Sequence, residues 1–162
     1  MTNPEQLLGH ARSIIRTGKR GALPQISMRR AVSAAYYALF HGLVSEASNL
    51  LVRQAERRRS RYLLVYRSFE HGPMLQACRQ VSRPPPRLGI SSFGPDVGSV
   101  AAAFETLQSQ RHRADYDPQT RFIRNEVEEY IALAHSALEA IGRAPRTERE
   151  IFLTFLLLRG RD

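Results

Sequence analysis

Apolar residues along this chain recur every three to four positions, and no convincing stretch alternates as a half-buried strand would. The pattern predicts an all-α protein of about five to six helices. Leu7, Leu8, Ala11, Ile14 and Ile15 share the inner face of a first helix, expected over 4–18 with Asn3 as cap and Pro4 in its first turn. A second helix starts near Pro24 or Gln25 and carries "RRAVSAAYYALFHGL", 29–43, into the Leu50 region. The stretch 53–73, "RQAERRRSRYLLVYRSFEHGP", shows no legible break point, and a helix through "MLQACRQV" follows it. Val100, Phe104 and Leu107 carry the next helix from after Asp96 towards Arg111. It should end near "ADYDP", because Pro118 disfavours helical geometry at Asp117. Asp117 is then expected to cap another helix, with Pro118 in its first turn. That helix puts Ile123, Val127, Ile131, Ala134, Leu138 and Ile141 on one stripe and stops around Gly142. A last helix starts at Thr147, where "TERE" reads as a capping box with Glu150 reaching back. Its "IFLTFLLL" is apolar on most sides, so it needs cover from the bundle or from a second subunit.

Length makes 1–162 a single domain, enough chain to bury one core and too short for two comfortable ones. The stretch 82–96, "SRPPPRLGISSFGPD", is an internal loop, and its three prolines suit a stiff connector better than a polyproline ligand. Cys78 is the sole cysteine, which excludes an internal disulfide and fits a small buried hydrophobe. The N-terminus lacks a basic segment followed by an apolar core, and no apolar run is long enough for a bilayer, so a soluble, cytoplasmic protein is expected. Lys plus Arg total 24 against 15 for Asp plus Glu, a net charge of +9, and Lys19 is the only lysine. Such an arginine excess favours polyanionic partners, although a compositional preference for arginine would produce it too.

At about 100° per residue, the 29–43 helix separates into faces. Ala31, Ala35, Ala38 and Gly42 form a smooth stripe that lets another backbone come close, and Val32, Tyr36, Leu39 and Leu43 form a large apolar one beside it. Tyr37 and His41 fall within roughly 20° of Arg30 on a third side. This polar face is either a solvated arginine with ordinary half-buried neighbours or a recognition surface. Arg111 continues the apolar line of Val100, Phe104 and Leu107, so its guanidinium needs a partner, and Asp115 one turn on can supply it. Such a pair is structural or, at the mouth of an interhelical cleft, available to a phosphate. His112, Arg113 and Tyr116 sit at the same corner. Arg53, Arg57, Arg58, Arg59, Arg61 and Arg67, interleaved with Tyr62 and Tyr66, make either a single-strand RNA surface or a solvated helix end. "GISSFGPDVGSV" lacks the Lys-Ser/Thr of a phosphate loop, no His, Asp or Glu cluster has metal-ligand spacing, and neither metal nor cofactor is expected.

Two segments resemble the HEPN domains of prokaryotes. "RRAVSAAYYALFHGL" looks like that family's Arg-Arg-Ala plus Ala-Tyr-Tyr-Ala-x-Phe-His helix, and "LQSQRHRADYDP" looks like its Arg-x-x-Ala-Asp-Tyr-Asp corner. "FEHGPMLQACRQV" is similar to the His-Gly segment between them, and the last helix, 146–162, lies outside the resemblance. The resemblance implies an up-and-down helical bundle, commonly a homodimer with the Arg111 sites near its seam, that engages RNA or a nucleotide. Many members are metal-independent ribonucleases of toxin or defence type, often paired with a small nucleotidyltransferase, and others look like non-catalytic binding modules. Arg111 and His112 match the first two positions of the catalytic signature, and Tyr116 stands where its closing histidine belongs. Arg111, His112 and Tyr116 are thus the catalytic candidates. Arg30, Tyr37, His41, Arg57, Arg58, Arg59 and Arg61 are the nucleic-acid-binding ones. RNA cleavage by its own 2′-hydroxyl needs a group titrating near neutrality, for which tyrosine is poorly suited. The resemblance also allows Tyr116 to be a target of nucleotide transfer by a partner enzyme.

Overall fold

A computed structural model of the chain describes residues 3–17, 24–52 and 60–158. Among these residues there are seven α-helices and no strand: α1 (Pro4–Thr17), α2 (Gln25–Leu51), α3 (Ser60–Arg67), α4 (His71–Arg79), α5 (Pro95–Tyr116), α6 (Arg124–Arg143) and α7 (Arg146–Leu157). The protein is an all-α helical bundle. The helix beyond the expected five to six is α3, drawn from the stretch whose break could not be read. Arg53, Arg57, Arg58 and Arg59 lie outside the described residues, as does Gly18 at the expected end of α1.

The 27-residue α2 is the axis, packed by α1, α5 and α6, with α3 and α7 also against it. Its two apolar stripes explain this position. Ala31, Ala35 and Ala38 are fully buried, and at Gly42 a Cβ would sit 2.2 Å from Leu138 Cδ2, so α6 uses the smooth stripe for close approach. Val32, Tyr36, Leu39 and Leu43 are fully buried beside it. At the start of α1, Asn3 caps as expected, its Oδ1 accepting from Glu5 N–H at 2.9 Å.

Several boundaries differ from the pattern. The helix expected from Met74 begins at His71, and α5 begins at Pro95 with Gly94 as its cap residue. The 82–96 loop contains one 3-10 turn, Pro86–Leu88, closed by Gly89 at φ 64, where glycine is the residue that fits without strain. Asp117 caps no helix. Its carboxylate accepts from Gln119 N–H at 2.9 Å and from the Thr120 hydroxyl, shaping a turn, and an irregular connector follows to Phe122, which is buried. Helix α6 therefore starts later, at Arg124, and Ile123, placed by periodicity on the inner stripe, is exposed at its N-terminus.

The expected capping box at Thr147 does not form. Pro145, whose ring presets the backbone, admits the helix one residue earlier, at Arg146, and Glu150 binds the Arg146 guanidinium at 2.8 Å instead of reaching back. Glu148 accepts from Gly94 N–H at 2.7 Å and ties α7 to the start of α5. Phe152, Leu153, Phe155 and Leu156 of α7 are buried within the chain against α2, α4 and α5, so the bundle itself covers the apolar last helix. No helix among the described residues is long and apolar enough to cross a membrane.

Candidate functional site

The two arginines that open the α2 motif separate at once, because successive residues point about 100° apart on a helix. Arg29 turns towards the end of α5 and donates to the carbonyls of Arg113 (3.4 Å), Ala114 (2.8 Å), Asp117 (2.8 Å) and Thr120 (2.6 Å). Helix C-termini leave such carbonyls without partners, and a forked cation satisfies several together. Arg30 is exposed, and both arginines line a cleft of about 700 Å³ between α2 and α5, bordered by α1 and shared with Ser33, Tyr37, Asp115 and Tyr116.

Behind this cleft sits Arg111. Its Nε lies 2.7 Å from Asp115 Oδ2, a charge contact without hydrogen-bond alignment, and its Nη2 donates to Tyr37 Oη at 2.8 Å. Ser33 Oγ donates to the other Asp115 oxygen at 2.7 Å and holds that carboxylate in place. The guanidinium carbon stands 5.4, 5.7 and 6.0 Å from the ring centres of Tyr37, Tyr116 and Tyr36, within cation–π range. Burial alone would lower the Arg111 pKa, but Tyr37 and Asp115 outweigh it and raise the value, so the group stays cationic. Tyr116 is 65% exposed, with the His112 ring 4.9 Å from its own.

A second lobe adjoins Tyr37. His41, one turn along α2, stacks between the rings of Tyr37 (6.1 Å) and Tyr66 (6.0 Å) and shares a 2.8 Å hydrogen bond through Nδ1 with Tyr66 Oη. His71, at the start of α4, packs 4.1 Å from the Phe40 ring and shares a 2.6 Å bond through Nδ1 with Tyr36 Oη. Both histidines titrate below the ordinary value: burial is the main cause for each, followed by His71 for His41 and by Arg111 for His71. Burial likewise raises the Tyr36 hydroxyl well above its usual range. Arg111 and His71 flank the same two rings, since His71 is 5.5 Å from Tyr36 and 6.0 Å from Tyr37.

Of the residues singled out by sequence, Arg30, Tyr37, Arg111 and Tyr116 gather around Asp115, with His41 a turn beyond and His112 reaching the group only through the Tyr116 ring. Arg61 is exposed on α3 and does not line the cleft, and Arg57, Arg58 and Arg59 fall outside the described residues. Pattern reading missed Arg29 as a clamp, Ser33, the hydroxyl of Tyr36 and above all His71. Its signal was the "FEHGP" segment, but a histidine sought at fixed spacing from Arg111 cannot be found 40 positions upstream. Chemically the site offers a held cation, an exposed one, uncharged imidazoles and tyrosine ring faces, a set suited to a phosphate attached to a planar base. A search of family models, curated proteins and solved structures found no match to this chain.

Proposed function

We propose that this chain is a HEPN-like protein that binds RNA or a nucleotide through the α2–α5 cleft, with Arg30 and Arg111 meeting phosphate and Tyr37 and Tyr116 offering ring faces to bases. One observation carries the reading: Arg111 is held cationic at the cleft by Tyr37 and Asp115 while three tyrosine rings surround it. The two segments that carry the family resemblance face each other across this cleft, which supports it further. The test is binding of single-stranded RNA by Arg111→Ala protein shown to be folded. Fewer counterions are displaced without that charge, so affinity should drop and its salt dependence become shallower. Arg61→Ala serves as the comparison. Loss of affinity and salt slope in Arg61→Ala alone would move the binding surface to the basic run 53–61.

A second reading, metal-independent RNA cleavage of toxin or defence type, draws on the histidines beside Arg111, since an uncharged imidazole can accept a proton near neutrality. Incubation of total RNA with the protein in the absence of metal, beside Arg111→Ala, separates it from binding alone. The resemblance also proposes a homodimer and a small nucleotidyltransferase partner acting at the exposed Tyr116. Light scattering showing only a monomer of 18.4 kDa would remove the first.

A further inference from the structure

Tyr36 is fully buried, and among the described residues its hydroxyl has one hydrogen-bond partner, His71 Nδ1 at 2.6 Å. Two proton arrangements fit that distance. If His71 donated, the Tyr36 hydroxyl proton would be left in a dry environment with no acceptor, which costs the desolvation of a polar group. If Tyr36 donates, both atoms are satisfied. Nδ1 is then the accepting nitrogen, and a neutral imidazole must carry its single proton on Nε2. That Nε2 makes no hydrogen bond within the described residues, and His71 is only half-buried. The ring is held by Phe40 at 4.1 Å and lies against the same two tyrosines that flank Arg111.

We infer that His71 is a further RNA-contacting residue, presenting Nε2–H to a phosphodiester oxygen beside the Arg111 cation, and that Tyr36 is the positioning residue that fixes this tautomer. The inference rests on the cleft reading above and deepens it. It assigns His71 to binding and not to proton abstraction, because Nε2 already holds its proton. Burial, and after it the Arg111 charge, opposes a second proton on the ring, so the donor stays uncharged.

Nitrogen-15 NMR of the full chain reads the tautomer without any ligand. The expected spectrum shows His71 Nε2 protonated and Nδ1 bare, and Tyr36→Phe, which removes the donor, should shift the ring towards a mixture of both forms. Binding of a mixed-sequence single-stranded oligoribonucleotide reads the contact. Folded His71→Phe keeps the ring stack and should bind about tenfold more weakly, the effect of one hydrogen bond to a charged group. Tyr36→Phe should lose less, about threefold, since part of its His71 population keeps the useful proton. A bare Nε2 in the unsubstituted chain overturns the inference. So does His71→Phe binding as tightly as the unsubstituted chain while Arg111→Ala binds weakly, and in that case the cleft reading stands. If the unsubstituted chain binds no RNA, the cleft reading falls and this inference falls with it. If His71→Phe does not fold, the spectra and the Tyr36→Phe affinity decide.

Discussion

Arg29 and Arg111 are both partly buried guanidiniums at the contact between α2 and α5, yet they are used in different ways. Arg29 gives its hydrogen bonds to four backbone carbonyls at and just beyond the end of α5, so its donors end on the fold itself. Arg111 touches one carboxylate oxygen and one tyrosine oxygen, and the rest of its surroundings are ring faces. The contrast teaches that burial of an arginine says little about its role. What matters is whether its donors end on backbone acceptors that the fold must satisfy, or on side chains that a ligand can join.

The largest effect should fall on Arg29. Truncation to alanine strands part-buried carbonyls as well as the cation's bonds, so urea unfolding should show a loss of about 3 kcal/mol. Arg29→Lys should recover only part, since an ammonium cannot fork across carbonyls of four residues. Arg111→Ala should cost less, about 1 to 3 kcal/mol, mainly through the unpaired Asp115. If Arg111→Ala proves the more damaging of the two, Arg111 is the structural arginine and the contrast is reversed.

A third measurement concerns pH. His41 and His71 titrate lower in the folded protein than the ordinary value of 6.5, so below that value the unfolded chain takes up protons first. Their contribution to stability is therefore complete above about pH 6.5, declines as pH falls, and levels off once the folded-state values are passed. Thermal melts between about pH 5 and pH 8 should show this slope, and His71→Phe should flatten it. A flat profile in the unsubstituted chain would mean that the imidazoles of the second lobe are solvated.

The smallest effect is expected where both partners face water. Arg79 and Glu105 pair at 2.9 Å with side chains 50% and 48% exposed, so Arg79→Ala should change stability by no more than about 0.5 kcal/mol. Arg30→Ala should be equally mild in urea yet weaken RNA binding, which sets it apart from its neighbour Arg29. A large stability loss at Arg30 would place it with the clamp.

The chain's 3.6-residue periodicity was enough to establish an all-α fold, the inner stripes of α2 and the extents of α1 and α2, because burial of one helix face leaves a trace at fixed spacing in the sequence. The same spacing placed Tyr37 beside His41 and Arg111 beside Asp115, since each pair lies one turn apart on one helix. Local rules failed where a distant group competed. Asp117 would have capped a helix had Arg29 and Thr120 not drawn its carbonyl and carboxylate into a turn, and Glu150 met Arg146 in place of Thr147. Tertiary structure alone decided that Arg29 clamps the α5 corner and that His71 and Arg111 both stand against Tyr36 and Tyr37. Those contacts join residues 35 to 91 positions apart and depend on how whole helices cross, a quantity that no local pattern carries.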